Sequence, residues 1–138
     1  MFRTAPVNLF FSGIQLLWEQ DRAIIEINAS EHYFHAGGSL HGAVYMKLLD
    51  DAAYFTAALQ QHTYFLLTAD FQIKFLRPVT GGSIYAKGQL LKQEGKYIYA
   101  SSELFSNDGK LVASGTGRFA PGKQLWTEIA AYRAGLSN

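Results

Sequence analysis

The chain has 138 residues, with 12 basic and 11 acidic side chains and a net charge of +1. That length suits one domain, expected to span 1–138, and a hydrophobic share of 49% against 17% charged excludes a disordered chain. The near balance of charge argues against bulk electrostatic binding to nucleic acid, and the absence of cysteine excludes disulfides, thiolate metal sites and cysteine nucleophiles.

No run approaches the 18 apolar residues of a membrane-spanning helix. The opening Met1-Phe2-Arg3-Thr4-Ala5-Pro6 lacks a signal-peptide layout. A cytoplasmic protein with no membrane partner is the expectation. In chain order, Val7 to Leu17 is apolar and predicts a short helix leading into a strand, with Pro6 and Asn8 at its start and Gly13 as a break. Ile14 to Trp18 and Ala23 to Ala29 then read as two strands of a hairpin around Glu19-Gln20-Asp21. A glycine-bearing loop, Ser30 to Leu40, holds His32, His35, Gly37, Gly38 and Ser39. His41 to Gln61 is the one long helical segment. It is apolar on nearly every face, as a buried helix is, and its only charges are Lys47, Asp50 and Asp51.

The remainder predicts four long strands: Leu66–Leu76, Ser83–Lys92, Lys96–Phe105 and Leu111–Phe119. In the first, Leu67, Ala69, Phe71, Ile73 and Phe75 alternate with Thr68, Asp70, Gln72 and Lys74. Asn107-Asp108-Gly109 is a strong hairpin turn, since these residues tolerate positive φ. Lys123 to Arg133 reads as a terminal helix, with Leu125, Ile129 and Tyr132 on one stripe. A single helix this apolar needs a curved antiparallel sheet around it. The order therefore predicts an α+β hotdog fold, with a core of about 6–121 and a tail of 122–138.

Common nucleotide and hydrolase motifs are absent. His32, His35 and His41 match no standard zinc spacing, so no metal is expected. The informative block is His35-Ala36-Gly37-Gly38-Ser39-Leu40-His41-Gly42, which runs into the long helix. Glycines let backbone approach a ligand closely. A helix N-terminus presents unpaired N–H groups, and such donors can hold a developing oxyanion. Asp50 lies further along the same helix in apolar company, and an unpaired buried charge is costly. The plainer alternative is that Asp50 and Asp51 pair with Lys47 and that Gly42 only permits tight packing. Asp51, four residues after Lys47, suits an ordinary helix pair.

These residues resemble the hotdog thioesterases of the PaaI type (phenylacetate-degradation related). The resemblance rests on Gly38-x-x-His41-Gly42 with Asp50 nine residues after the histidine. It rests too on Thr68-x-Asp70-Phe71-x-Ile73-x-Phe75-Leu76-Arg77-Pro78, on Asp108-Gly109-Lys110-Leu111-Val112-Ala113, and on Gly115-x-Gly117-x-Phe119. It implies an acyl-CoA thioesterase that needs no cofactor. It implies Gly42 as oxyanion donor, Asp50 as general base or nucleophile, and Thr68 as the group that orients water. His35 stands where the family usually has Asn and is expected to donate from its imidazole N–H to the thioester carbonyl, and Ala43 stands where a second Gly is common. His41 is expected to cap the helix and shape the loop. Gly38 belongs to the substrate loop, and Tyr54, Phe55, Tyr64 and Phe65 are candidates for the acyl tunnel. Arg77, Lys74, Lys87 and Arg118 are candidates for the CoA phosphates. The resemblance also implies a homodimer, often doubled to a tetramer. Two other readings are a 3-hydroxyacyl dehydratase, whose typical His-Phe-Pro stretch is missing, and a non-catalytic acyl-CoA sensor, for whose DNA-binding segment this length leaves no room.

Overall fold

The alternating segments form six antiparallel strands around the long helix. They are β1 (Gln15–Glu19), β2 (Arg22–Asn28), β3 (Tyr64–Phe75), β4 (Ser83–Glu94), β5 (Tyr97–Phe105) and β6 (Leu111–Leu125), with α1 (Gly42–Ala58) between β2 and β3. A computed structural model describes residues 2–129. The strands make one sheet in the order β1-β2-β4-β5-β6-β3, so β1 and β3 are its edges. The curved sheet wraps one helix, which is the hotdog fold.

The helix is held because its small residues allow close approach. Ala52, Ala53 and Ala57 are fully buried, as are Leu48 and Leu49. Opposite them, β4 places Gly88, where a methyl group would collide with the Ala52 carbonyl oxygen and Thr56 Oγ1. Thr56 Oγ1 donates to Ala52 O (2.8 Å) and accepts from Ala23 N (3.0 Å), tying helix to β2. Ser102 Oγ donates to Leu49 O at 2.7 Å, tying it to β5. Buried hydroxyls are stable here because each is hydrogen-bonded. Apolar side chains of β2, β4, β5 and β6 fill the remaining space, including Ile25, Ile27, Ile84, Ile98, Leu104 and Phe119.

Three expectations change. The opening segment forms two 3-10 turns, Phe2–Thr4 and Pro6–Phe10, in place of a helix running from Val7. Gly13, at φ +80°, breaks the chain before β1, which leaves too few residues for a stable α-helix. The helix also ends at Ala58, not Gln61. There Gln61 Oε1 accepts from the backbone N–H groups of Thr63 and Tyr64 and turns the chain into β3.

The third change is at the C-terminal end. The described part of Lys123–Arg133 is strand and a 3-10 turn (Trp126–Glu128), and residues 130–133 lie outside the described residues. Pairing overrides the helical stripe. Leu125 pairs with Tyr64 in the sheet, and Trp126 Nε1 donates to Gln61 O at 3.0 Å. The Trp126 ring also packs edge-on against Phe65 at 5.0 Å.

Candidate active site

Asp50 lies in the middle of α1, facing the edge strand β3. Its Oδ1 accepts a hydrogen bond from Thr68 Oγ1 at 3.0 Å. Thr68 reaches it because β3 carries a bulge. Thr68 pairs with Phe119 and Asp70 with the adjacent Arg118, so Ala69 is an extra residue. The bulge switches faces. Leu66 is fully buried while Leu67 is 55% exposed, and beyond the bulge Phe71 and Ile73 turn inward. The unbroken alternation expected from the sequence, which groups Leu67 with Phe71 and Ile73, therefore breaks at Ala69.

Asp50 and Thr68 line a cavity of about 390 Å³. Its walls include Tyr54, Phe55, Phe65 and Leu67, together with Phe2, Pro6 and Val7 of the N-terminal turns. Burial disfavours the carboxylate and raises the pKa of Asp50 to about 6. The Thr68 hydrogen bond opposes this, the charge of Asp51 adds to it, and Lys47 opposes it. Tyr54 is raised as well, mainly by burial and then by the two carboxylates; its hydroxyl donates to Leu66 O at 2.8 Å.

The other two charges of the helix pair with each other. Lys47 Nζ lies 2.6 Å from Asp51 Oδ2, with side chains 14% and 15% exposed. Burial raises Asp51 above its ordinary range, against the pull of Lys47. The ammonium also sits over the rings of Phe2 (5.7 Å) and Phe11 (5.5 Å), a favourable cation–π arrangement. The N-terminal turns are thereby pinned to the helix as a wall of the cavity. Nothing in the sequence patterning singled out Phe2 or Phe11 for this role. Their signal is only that they are aromatic in a short segment.

Gly42 is elsewhere. It lines a second cavity of about 350 Å³ with His35, Ser39, Tyr45, Phe75 and Arg77. Its N–H has no acceptor among the described residues, as expected of the first turn of a helix. The Phe75 ring crosses its face, with the nearest ring carbon 3.4 Å from where a Cβ would stand. His41 caps the helix: its Nδ1 accepts from Ala43 N at 2.9 Å. Gly38 adopts φ +87°, which shapes the loop. His35 Nδ1 accepts from Gly37 N at 2.9 Å, and its Nε2 is 2.8 Å from Ser39 Oγ. Both ring nitrogens are thus engaged within the loop. The chain therefore brings Asp50, Thr68, Tyr54 and Phe55 together, and separately brings Gly42, His35 and Arg77 together.

The candidate cations divide as well. Lys87 pairs with Glu19 at 2.5 Å, and Arg118 pairs with Asp70 at 2.8 Å. The Arg77 side chain has no acidic partner among the described residues and borders the Gly42 cavity. Lys74 is exposed on β3. Among the described residues, no cluster of three His, Asp or Glu side chains is arranged to hold a metal, and no helix is long and apolar enough to cross a membrane.

Residues 37–113, more than half of the chain, match the family described as the Thioesterase superfamily. The chain belongs to that superfamily. Its fold is that of the Escherichia coli PaaI protein from the phenylacetic acid degradation operon, at a TM-score of 0.80 and 20% identity over 91% of this chain and 90% of that one. A thioesterase from Haemophilus influenzae is similar at a TM-score of 0.78 and 16% identity, covering 86% of this chain and 84% of that one. Zebra fish thioesterase superfamily member 2 is similar at 0.76 and 23%, covering 86% and 89%. No curated protein sequence matches significantly.

Proposed function

We propose that the protein hydrolyses an acyl-CoA thioester to a free carboxylic acid and CoA, at a site built by two subunits. The observation that carries this reading is Asp50: a carboxylate held by Thr68 in an apolar cavity, with its pKa raised to about 6. A base near this value is ionised at neutral pH yet still accepts a proton readily.

In this mechanism Thr68 occupies Asp50 Oδ1, and Oδ2 takes a proton from water as the water attacks the thioester carbonyl carbon. The Gly42 N–H stabilises the oxygen that becomes negative. The C–S bond then breaks, and the proton passes from Asp50 to the departing sulfur. A carboxylate, a water and an N–H donor suffice without a cofactor. The acyl group lies between Tyr54, Phe55 and Phe65. Arg77 is the cation best placed for the CoA side, because Lys87 and Arg118 are held by carboxylates.

The need for two subunits follows from length. Gly42 and Asp50 are separated by eight helical residues, which rise about 12 Å. The attacking oxygen and the oxyanion donor must both lie roughly 3 Å from one carbonyl group. β3 supplies the way to join two copies, because it is an unpaired edge. Thr68 lies near its start and Phe75, which covers Gly42, at its end. Two β3 strands paired antiparallel about a two-fold axis bring the Asp50 cavity of one copy to the Gly42 cavity of the other. The exposed Leu67, Phe75 and Leu76 along that edge favour such a contact. Two dimers joining as a tetramer would extend the same assembly.

The test is a panel of acyl-CoA esters assayed for free thiol. Release is expected for at least one acyl class, and Asp50→Ala is expected to lower it by roughly 10²–10⁴-fold. A dehydratase or a binding protein would release no thiol. Silence across the panel, or near-normal turnover by Asp50→Ala, overturns the proposal.

A further inference from the structure

The His35–Ser39 pair resembles a serine nucleophile with its base, because Nε2 and Oγ are 2.8 Å apart. The other ring nitrogen decides against that. His35 Nδ1 accepts the Gly37 N–H at 2.9 Å, so it carries a lone pair and no proton. A neutral imidazole has one N–H, which therefore lies on Nε2 and points at Ser39 Oγ. The ring cannot take the serine proton; it donates to the serine oxygen. The Ser39 hydroxyl hydrogen is thereby left free to point elsewhere. The backbone holds this geometry, with His35 N donating to Ser39 O at 2.9 Å and Gly38 N to His35 O at 3.0 Å. Ser39 lines the same cavity as Gly42.

We propose that Ser39 Oγ–H is the second donor to the thioester carbonyl, beside the Gly42 N–H, and that His35 is a positioning residue acting only through Ser39. The proposal rests on the thioester-hydrolase reading above. An O–H whose oxygen already accepts a hydrogen bond is a stronger donor and a more directed one. The oxyanion would thus receive one backbone and one hydroxyl hydrogen bond, and no bond to Ser39 forms at any step.

Two measurements test it. The first needs no variant: the imidazole ¹⁵N shifts of His35 in the intact protein at neutral pH show which nitrogen bears the proton. Protonated Nε2 and bare Nδ1 are expected; a proton on Nδ1 overturns the assignment. The second is a double-mutant cycle on the best acyl-CoA of the panel. Ser39→Ala is expected to lower kcat roughly 10²-fold, the usual loss for one oxyanion donor, with little change in KM. His35→Ala is expected to lose about tenfold, and His35→Asn to restore most of that, since its amide can donate to Oγ. In the Ser39→Ala background, His35→Ala should cost nothing further. If His35 costs the same in both backgrounds, it acts by itself and the proposal fails. If Ser39→Ala turns over normally while Asp50→Ala is inactive, Ser39 is removed and the hydrolase reading stands. If wild type releases no thiol from any ester, the hydrolase reading falls and takes this assignment with it.

Discussion

Asp50 carries opposing demands, because the burial that would suit it to the proposed role of base also destabilises its charged form. The sign of the pH dependence follows. Its pKa in the folded protein, about 6, lies above the ordinary 3.8. The folded state therefore holds the proton more tightly, and the stability cost of ionising it is absent below about pH 4 and complete somewhat above pH 6. Asp50→Asn should then be more stable than wild type at about pH 8, by about 1–3 kcal/mol, and equal to it in acid. Thermal melts at the two pH values check this, and an unchanged difference contradicts it. Activity should show the mirror image: kcat/KM falls as pH falls through about 6, because the proposed base becomes protonated. Asp51 behaves differently despite being adjacent. Asp51→Ala leaves the Lys47 ammonium largely buried without its carboxylate, so it should destabilise by about 3 kcal/mol. A denaturation curve reads that loss, and a melt as stable as wild type would remove the ion pair from the account.

At the scale of elements, the helix–sheet contact depends on one glycine. Gly88→Ala drives a methyl into the Ala52 carbonyl and Thr56, and overpacking of this kind costs about 1–3 kcal/mol or more. Urea unfolding should show a lower midpoint with unchanged slope, whereas an unaffected midpoint would mean that β4 can retreat freely. The strands were legible from their alternation and the turns between them, and the helix from its length and because one helix apolar on all sides admits few arrangements. Asp50 was separable from Asp51 only through the family resemblance, because helical periodicity does not choose between two adjacent carboxylates. The Ala69 bulge was not legible. A single extra residue leaves no composition signal, and it reverses which side of β3 faces Asp50. The end of β6 was missed because the sequence stripe Leu125-Ile129-Tyr132 reads as helical, whereas pairing of Leu125 with Tyr64 and the Trp126 contacts make the described part, up to Glu128, strand and turn. The Ser39 geometry depends on a tautomer, and only the partner of the opposite ring nitrogen reveals that.

For the whole molecule, the proposed reading requires that one site be built from two chains. The Asp50 and Gly42 cavities lie at opposite ends of the edge strand β3 of one chain. Mixing subunits measures this directly. One chain carries Gly42→Pro, which removes the donor N–H, and the other carries Asp50→Ala; each is inactive alone. After statistical exchange, about half of the dimers contain one of each. In such a dimer both defects fall in one site and the other site is intact. Activity should therefore return toward about a quarter of wild type. If the mixture stays inactive although mass measurement shows that the chains have exchanged, the shared site is wrong.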